Sequence, residues 1–332
     1  MARLAIFLDP GKSLSEAVGR VRLAESLGYD SVWVTQIASR EPFQVLSHYG
    51  HHTERIGLGT GVVPIMLRHP VLTAVEAITL DETSGGRLRL GLGVSHRITV
   101  EGWYGLTLDD PIGRMREYAT IVRGVFRDGQ IAHEGVHYTA RFRFAGRPKP
   151  DLPILFAALS PKMLRLAAEA ADGVVLWMCS PAYIRETVVP TIEEELSRHG
   201  RTLGGFEIVA AVPLGLTENP DGARDAVRRR AFPYLQLPFY RRAIAAGGYQ
   251  EVIDAVDQAV QSGDREAALR AIPDAFVDDM AGVGDARAIQ SKLADYVDAG
   301  VTLPAVGPIT RHPGGGSVDE TLQAIAPTGP SA

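Results

Sequence analysis

Residues 70–93, PVLTAVEAITLDETSGGRLRLGLG, contain the pattern that decides the fold. Pro70 suits the first turn of a helix, because the amide hydrogen that proline lacks has no partner there. Gly85 marks the end of this helix, and the apolar run Leu88–Gly93 predicts a buried strand after it. The stretch therefore predicts a helix followed by a strand, which is the repeating pattern of an α/β protein.

The same signals recur along the chain. Apolar runs predict eight strands, at 4–8, 31–35, 56–63, 88–93, 154–158, 174–178, 206–216 and 301–309. Helices are predicted to open at Pro42, Pro70, Pro111, Pro161 and Pro181, and to end at Gly85, Gly129, Gly173 and Gly200. Eight strand–helix units of similar length favour a closed (β/α)8 TIM barrel over an open sheet.

Two stretches are longer than the repeat. Residues 95–152, after strand four, contain a predicted helix (111–126) and hairpin (131–144), whereas residues 220–287, after strand seven, are predicted to be mostly helical. In this fold, insertions after strands lie over the carboxyl ends of the strands, where sites are built. We assign residues 1–312 to one barrel domain and residues 313–332 to a C-terminal helix, at 318–325, and a frayed tail.

Composition excludes several classes of protein. The 332 residues are 45% hydrophobic and 22% charged, which excludes wholesale disorder. The net charge of −5 argues against a nucleic-acid partner, and the single cysteine, Cys179, excludes an intrachain disulfide. No apolar stretch reaches the roughly 20 residues of a membrane span, and the first one, Leu4–Leu8, is too short for a signal peptide. We therefore expect a cytoplasmic protein without a membrane partner.

Two groups of histidines resemble metal sites. His133-Glu-Gly-Val-His137 matches the zinc motif HExxH, but Gly135 and the β-forming residues that follow favour a hairpin, and the motif requires a helix. His48, His51 and His52 lack a nearby carboxylate or cysteine cluster, which favours an exposed helix end. We therefore predict no metal site.

Other motifs are incomplete. Gly57-Leu-Gly-Thr-Gly61 and Gly91-Leu-Gly93 lack the third glycine and following helix of a dinucleotide-binding fingerprint. Cys179 comes directly after Trp177-Met178, which favours a buried strand end over a nucleophile. The run Arg228-Arg-Arg230 lies in an acidic helical segment and is typical of a solvated face.

Three strand-end positions are better candidates. Lys162, one of only four lysines, lies in Ser160-Pro-Lys-Met163 at the start of a predicted helix. The amide N–H groups, the hydroxyl and the ammonium group there suit a phosphate. The alternative is a plain helix cap with an exposed lysine. His96 follows strand four and has a suitable pKa range for proton transfer, unless it only orders its loop. Gln36, at the end of strand two, is a weaker candidate for binding a ring carbonyl.

Residues 68–87, followed by Leu90-Gly-Leu-Gly93, resemble the signature of the bacterial luciferase-like flavin and deazaflavin oxidoreductases. The similarity includes residues 28–36, 56–64, 114–118 and 153–173, and covers most of residues 1–216. Residues 94–105 and 158–162 are most similar to the branch that uses coenzyme F420. The resemblance implies a (β/α)8 barrel, which agrees with the strand count.

The resemblance also implies roles for individual residues. The Gly61–Val62 bond corresponds to a non-proline cis peptide behind the cofactor ring, residues 160–163 to the phosphate site, and His96 to an acidic proton donor in the family's sugar-phosphate dehydrogenases. Ile37 stands where those enzymes have a histidine, which argues against that activity. The complete predicted cofactor site consists of Gln36, Gly61, Val62, Gly93, Ser95, Ala158, Leu159, Ser160, Pro161, Lys162, Met163 and Trp177.

We expect an F420-dependent oxidoreductase, more specifically a reductase, in which hydride passes between the deazaflavin C5 and a small organic substrate while His96 transfers the proton. Trp103, Tyr104, Trp177 and Met178 are candidates for the apolar wall around that substrate. An FMN-dependent monooxygenase of the same fold and a non-catalytic carrier of flavin or deazaflavin are the alternatives. The resemblance further implies a homodimer.

Overall fold

Eight parallel strands form a closed barrel in the computed structural model, which describes residues 3–310 and 315–327. Each strand pairs with the next along the chain, and the last pairs with the first through Ala305 and Ala5. The predicted TIM barrel is therefore confirmed. The strands are β1 (Ala5–Phe7), β2 (Ser31–Val34), β3 (Gly57–Thr60), β4 (Leu88–Gly93), β5 (Ile154–Ala157), β6 (Gly173–Trp177), β7 (Glu207–Leu216) and β8 (Leu303–Pro308).

A helix of the outer layer follows each strand. These helices are α1 (Leu14–Ser26), α2 (Pro42–His51), α3 (Pro70–Thr83), α4 (Pro111–Asp128), α5 (Pro161–Ala170), α6 (Val189–Arg198), α7 (Ala286–Asp298) and α8 (Val318–Ala324). Proline opens α2 to α5, as the sequence predicts, and each of these helices has an N-cap side chain that accepts a backbone N–H. No helix in the described residues is both long and apolar enough to cross a membrane.

Two segments extend the barrel beyond this repeat. After β4, a short helix (Arg97–Gly102) precedes α4, and strands Gln130–Glu134 and Thr139–Arg143 then form an antiparallel hairpin. After β7, the helical insertion (residues 220–281) contains helices Pro220–Ala231, Pro238–Ile244, Gln250–Gln261, Arg265–Arg270 and Asp274–Met280. Strand Gly282–Gly284 then returns to pair with β7. The predicted frayed end, residues 328–332, lies outside the described residues.

Glycines make room for large side chains inside the barrel. Trp33 is fully buried among the inward-facing residues, and its ring fills the space where a Cβ at Gly59 would stand. A Cβ at Gly91 would lie 2.0 Å from the carbonyl oxygen of Thr60. These glycine-containing stretches are therefore packing positions within strands and not a nucleotide-binding loop.

The helical insertion has its own hydrophobic core. Val227, Leu235 and Phe276 are almost fully buried in it, together with Met178 and Ile309, which follow β6 and β8. Burial of such side chains contributes roughly 1.5–3 kcal/mol each relative to full exposure. The insertion, which follows β7, is therefore packed onto the carboxyl ends of the two neighbouring strands, β6 and β8.

Candidate active site

We call the surface formed by the residues that follow the carboxyl ends of the strands the barrel mouth. Two of its non-glycine residues have left-handed backbone, Ser95 after β4 with φ 64° and Met178 after β6 with φ 53°. Such conformations cost of the order of 1–3 kcal/mol and persist only where the surroundings impose them, often beside ligand sites. The chain therefore holds Ser95 and its neighbour His96 in an unusual, specified position.

The Gly61–Val62 peptide bond after β3 is cis, as the sequence resemblance implied. A Cβ at Gly61 would lie 2.2 Å from the Phe7 ring, so no larger residue fits there. The Val62 side chain occupies the space above Gly93, where a Cβ would lie 2.5 Å from its Cγ2. Gly61, Val62 and Gly93 thus form one tightly packed unit at the mouth.

His96 lies at the mouth with its ring held by two aromatic neighbours. The ring centroids of His96 and Tyr240 are 5.6 Å apart, and those of His96 and Tyr234 are 6.3 Å apart. Its ring nitrogens make no hydrogen bond to any described residue. Burial lowers the pKa of His96 below its usual value, so the neutral imidazole predominates at pH 7. The ring is therefore ordered by packing while its nitrogens remain free for a ligand.

The aromatic neighbours of His96 come from the helical insertion, which the sequence placed over this end of the barrel without singling out any of its aromatic residues. Tyr234 packs its ring edge against Tyr240, with centroids 4.8 Å apart, and against Trp177, at 5.7 Å. The buried Nε1–H of Trp177 lies close to the Tyr234 hydroxyl but without the alignment of a hydrogen bond. The aromatic, proline-flanked stretch FPYLQLPFY at 232–240 was the available signal, because it stands out from the charged helices around it.

The predicted phosphate loop opens α5. The Ser160 hydroxyl accepts the backbone N–H of Met163 at 3.3 Å, and Pro161 begins the helix. Lys162 is exposed and has no ion-pair partner among the described residues. Just before it, Leu159 is half-buried and its carbonyl accepts the Tyr183 hydroxyl at 2.6 Å, beside the buried Ala158. The Lys162 ammonium group and the Ser160 hydroxyl proton are thus the groups left for an anion.

Gln36 is half-buried at the end of β2 and is already engaged. Its Oε1 accepts a hydrogen bond from Arg68 Nη1 at 2.7 Å. Arg68 is also paired with Glu41 at 2.7 Å and with Glu76 at 3.3 Å. Only the amide NH₂ of Gln36 is left to donate to a ring carbonyl, which is the role predicted for it.

The other predicted residues of the first insertion make no aromatic contact with the rings around His96. The HExxH residues belong to the hairpin, as predicted, and His133 and His137 face different carboxylates, Glu117 at 3.5 Å and Asp110 at 2.9 Å. No metal-binding group of three His, Cys, Asp or Glu side chains is found in the described part of the chain. Trp103 and Tyr104 are 55% and 45% exposed, and neither contacts the rings around His96. Of the predicted apolar wall, only Trp177 has an aromatic contact to that cluster.

Comparison with known proteins gives a consistent result. The luciferase-like monooxygenase family matches residues 2–303. Over 308 residues the chain is 33% identical to a Mycobacterium tuberculosis protein whose name provisionally assigns it to the coenzyme F420-dependent oxidoreductases, covering 86% of this chain and 88% of the relative. Over 292 residues it is 30% identical to 5,10-methylenetetrahydromethanopterin reductase of Archaeoglobus fulgidus, covering 86% and 87%.

The fold agrees with these relatives. It superposes on the coenzyme F420-dependent tetrahydromethanopterin reductase of Methanopyrus kandleri with a TM-score of 0.84 at 23% identity, covering 99% of this chain and 98% of that chain. It also superposes on an F420-dependent secondary alcohol dehydrogenase with a TM-score of 0.78 at 18% identity, covering 98% and 99%. With the family matched over residues 2–303, the chain belongs to the luciferase-like monooxygenase family, as its sequence resemblance predicted.

Proposed function

We propose that this protein is a coenzyme F420-dependent oxidoreductase that reduces a small organic substrate. Bound F420 would supply or accept a hydride at C5 of its deazaflavin ring. The M. tuberculosis relative named for F420 supports the cofactor, and the A. fulgidus relative named as a reductase supports the direction.

The residues at the barrel mouth fit such a cofactor. Lys162 and the Ser160 hydroxyl provide a cation and a donor at the N-terminus of α5, where a phosphate is favoured. Gly61, Val62 and Leu159 are small or apolar and half-exposed, which suits the face of a planar ring. The buried Nε1–H of Trp177 has no hydrogen-bond partner among the described residues and is a further donor beneath this surface.

His96 is the observation that carries the catalytic part of the proposal. It lies after β4, at the end of the barrel where sites of this fold are built, and its ring is ordered without using either nitrogen. A proton donor must reach its substrate by a hydrogen bond, and a nitrogen already bonded to the protein would be poorly placed to do so. His96 can therefore give a proton to the reduced substrate or take one in the reverse direction.

Separate fluorescence titrations of the purified protein with F420 and FMN test the choice of cofactor. We expect F420 to bind at least about tenfold more tightly than FMN, since the phosphate site alone does not distinguish them but the relatives favour the deazaflavin. Submicromolar FMN binding without F420 binding would instead identify an FMN-dependent monooxygenase. Bound, reduced F420 that transfers hydride to none of a panel of activated alkenes, imines and ketones would identify a carrier.

The homodimer implied by the resemblance and the cytoplasmic location expected from the composition stay predictions. Light scattering of the purified protein measures the first directly. A monomer at micromolar concentration would contradict it.

A further inference from the structure

Arg230, at the end of helix Pro220–Ala231 in the helical insertion, extends its side chain over the barrel mouth. Its Cζ lies 4.8 Å from the centroid of the Trp177 ring, and its Nη2 lies 3.9 Å from the position of a Cβ on Gly307 in β8. Desolvation by the surrounding protein lowers the pKa of Arg230, yet the residue as a whole is exposed to solvent. The guanidinium group therefore lies between Trp177 at the end of β6 and Gly307 in β8.

This guanidinium group has no anionic partner within residues 3–310 and 315–327. It makes no hydrogen bond or ion pair to any described residue, and it lies over the Trp177 ring. Asp9, after β1, is the carboxylate that acts on it most, yet Asp9 lies beyond ion-pair distance and accepts the Gly11 N–H at 2.9 Å. No group in the described part of the chain accepts from the five N–H donors of Arg230, which are held in place by stacking on an indole.

The other arginines of the same helix differ from Arg230. Arg224 is bound by Asp278 at 2.9 Å, Arg228 is bound by Asp225 at 2.6 Å and by Asp274, and Arg229 is bound by Glu266 at 3.0 Å. These three fasten the helix to its neighbours in the insertion. Arg230 makes no such pair although the insertion is rich in carboxylates, so it is not needed to fasten the helix.

We propose that Arg230 binds an anionic group, a carboxylate or phosphate, of the substrate, which makes it a specificity-determining residue of the proposed reductase. A planar guanidinium group binds either anion in a bidentate manner. The cofactor phosphate is assigned elsewhere, to Ser160 and Lys162 at the end of β5. The rings of Trp177 and Tyr234 lie between Arg230 and His96, so a substrate anchored at Arg230 can lie across them with its electrophilic carbon near His96.

Calorimetric titration with three probes, benzoate, phenyl phosphate and methyl benzoate, tests this proposal by binding alone. The probes are added, with and without bound F420, to wild type, Arg230→Gln and the matched control Arg229→Gln. Arg229 is a suitable control because in the wild type it pairs with Glu266 at the surface. We expect at least one anionic probe to bind wild type and Arg229→Gln, and to bind Arg230→Gln roughly 10- to 100-fold more weakly. The neutral ester should bind all three proteins equally, and F420 affinity should be unchanged.

Three outcomes would overturn the proposal. Equal anion binding by wild type and Arg230→Gln would exclude Arg230 as the anchor, and so would wild type that binds neither anion. Loss of F420 affinity in Arg230→Gln would place the residue in the cofactor site instead. Because F420-free protein is titrated too, failure to bind F420 would contradict the proposed function without obscuring the result for Arg230.

Discussion

The two sides of the barrel mouth are built in different ways. The strand-end side, residues 61–62, 95–96 and 160–163, is fixed by the backbone through a cis bond, a left-handed Ser95 and a capped helix start. The side formed by the helical insertion is fixed by packing, since Tyr234, Tyr240 and Arg230 are positioned by a separate core that rests on Met178 and Ile309. The strand-end side can therefore carry the chemistry common to the family, while the helical insertion determines which substrate reaches that chemistry.

This difference predicts how the two sides respond to mutation. A substitution on the strand-end side removes a donor from a rigid frame and leaves the frame intact. A substitution in the helical insertion shifts a packed surface and acts on His96 only through its aromatic neighbours. Four expected effects, from the largest to the smallest, test whether mutations on the two sides of the mouth have these different effects.

The largest effect is expected for His96→Gln. Loss of a general acid–base group should lower turnover by about 10² to 10⁴ while leaving F420 affinity unchanged. Single-turnover hydride transfer, F420 titration and melting temperature are measured on the same protein. The control is His51→Gln, an exposed histidine at the end of α2. Parallel losses of stability, F420 affinity and activity would show instead that His96 only orders its loop.

Lys162→Ala should have the next largest effect, which falls on F420 affinity and not on turnover. Removing one charge-assisted hydrogen bond should weaken F420 binding by about 1 to 3 kcal/mol, whereas turnover at saturating F420 should stay near the wild-type value. Lys12→Ala is a matched control, because Lys12 also has no ion-pair partner among the described residues but lies outside the predicted cofactor site. An unchanged dissociation constant would identify Lys162 as a solvated lysine.

The sequence predicted the strand-end side because its signals are local. Proline at the first helical turn, Ser160 at a cap and apolar runs of strand length each depend on neighbouring residues only, and the barrel follows from their repetition. Even the cis bond was assigned to the correct pair, Gly61–Val62, through the family resemblance.

The same reasoning could not find Arg230, for a physical reason. Successive residues of a helix point about 100° apart, so Arg228, Arg229 and Arg230 face different surroundings although the sequence presents them as one basic run. Arg229 and Arg230 are both exposed, as predicted for this run, but Arg229 pairs with Glu266 whereas Arg230 lies over the Trp177 ring. Only the packing of this helix on the barrel decides which arginine faces the mouth.

The dependence of turnover on pH should be the third effect. Because burial lowers the pKa of His96, the fraction that carries a proton falls as the pH rises through that value. Reduction, which uses the protonated form, should slow by roughly tenfold per pH unit above the pKa, and oxidation, which uses the neutral form, should be fastest there. Single-turnover rates in both directions between pH 5.5 and 8 measure this. Equal profiles in the two directions, or profiles unchanged in His96→Gln, would contradict the assignment.

The smallest effect is expected on the insertion side, for Tyr240→Phe. The Tyr240 ring contacts both His96 and Tyr234, and its hydroxyl makes no hydrogen bond to a described residue. Burial raises the pKa of Tyr240 well above its usual value, so its phenol stays protonated and is a poor base. Aromatic pairs contribute roughly 0.5–1.5 kcal/mol each, and this contribution comes from the ring, which the substitution keeps. Turnover should therefore stay within about threefold of the wild-type value.

Tyr240→Leu separates the ring from the hydroxyl. It removes both ring contacts, so His96 should become less ordered and turnover should fall further than in Tyr240→Phe, while F420 affinity, which depends on the strand-end side, should hold. Tyr104→Phe and Tyr104→Leu, at a residue 45% exposed, are the matched controls. A loss of more than about tenfold in Tyr240→Phe with normal F420 binding would mean that the hydroxyl takes part in proton transfer. The insertion would then supply chemistry as well as a surface, and the division between the two sides of the mouth would not hold.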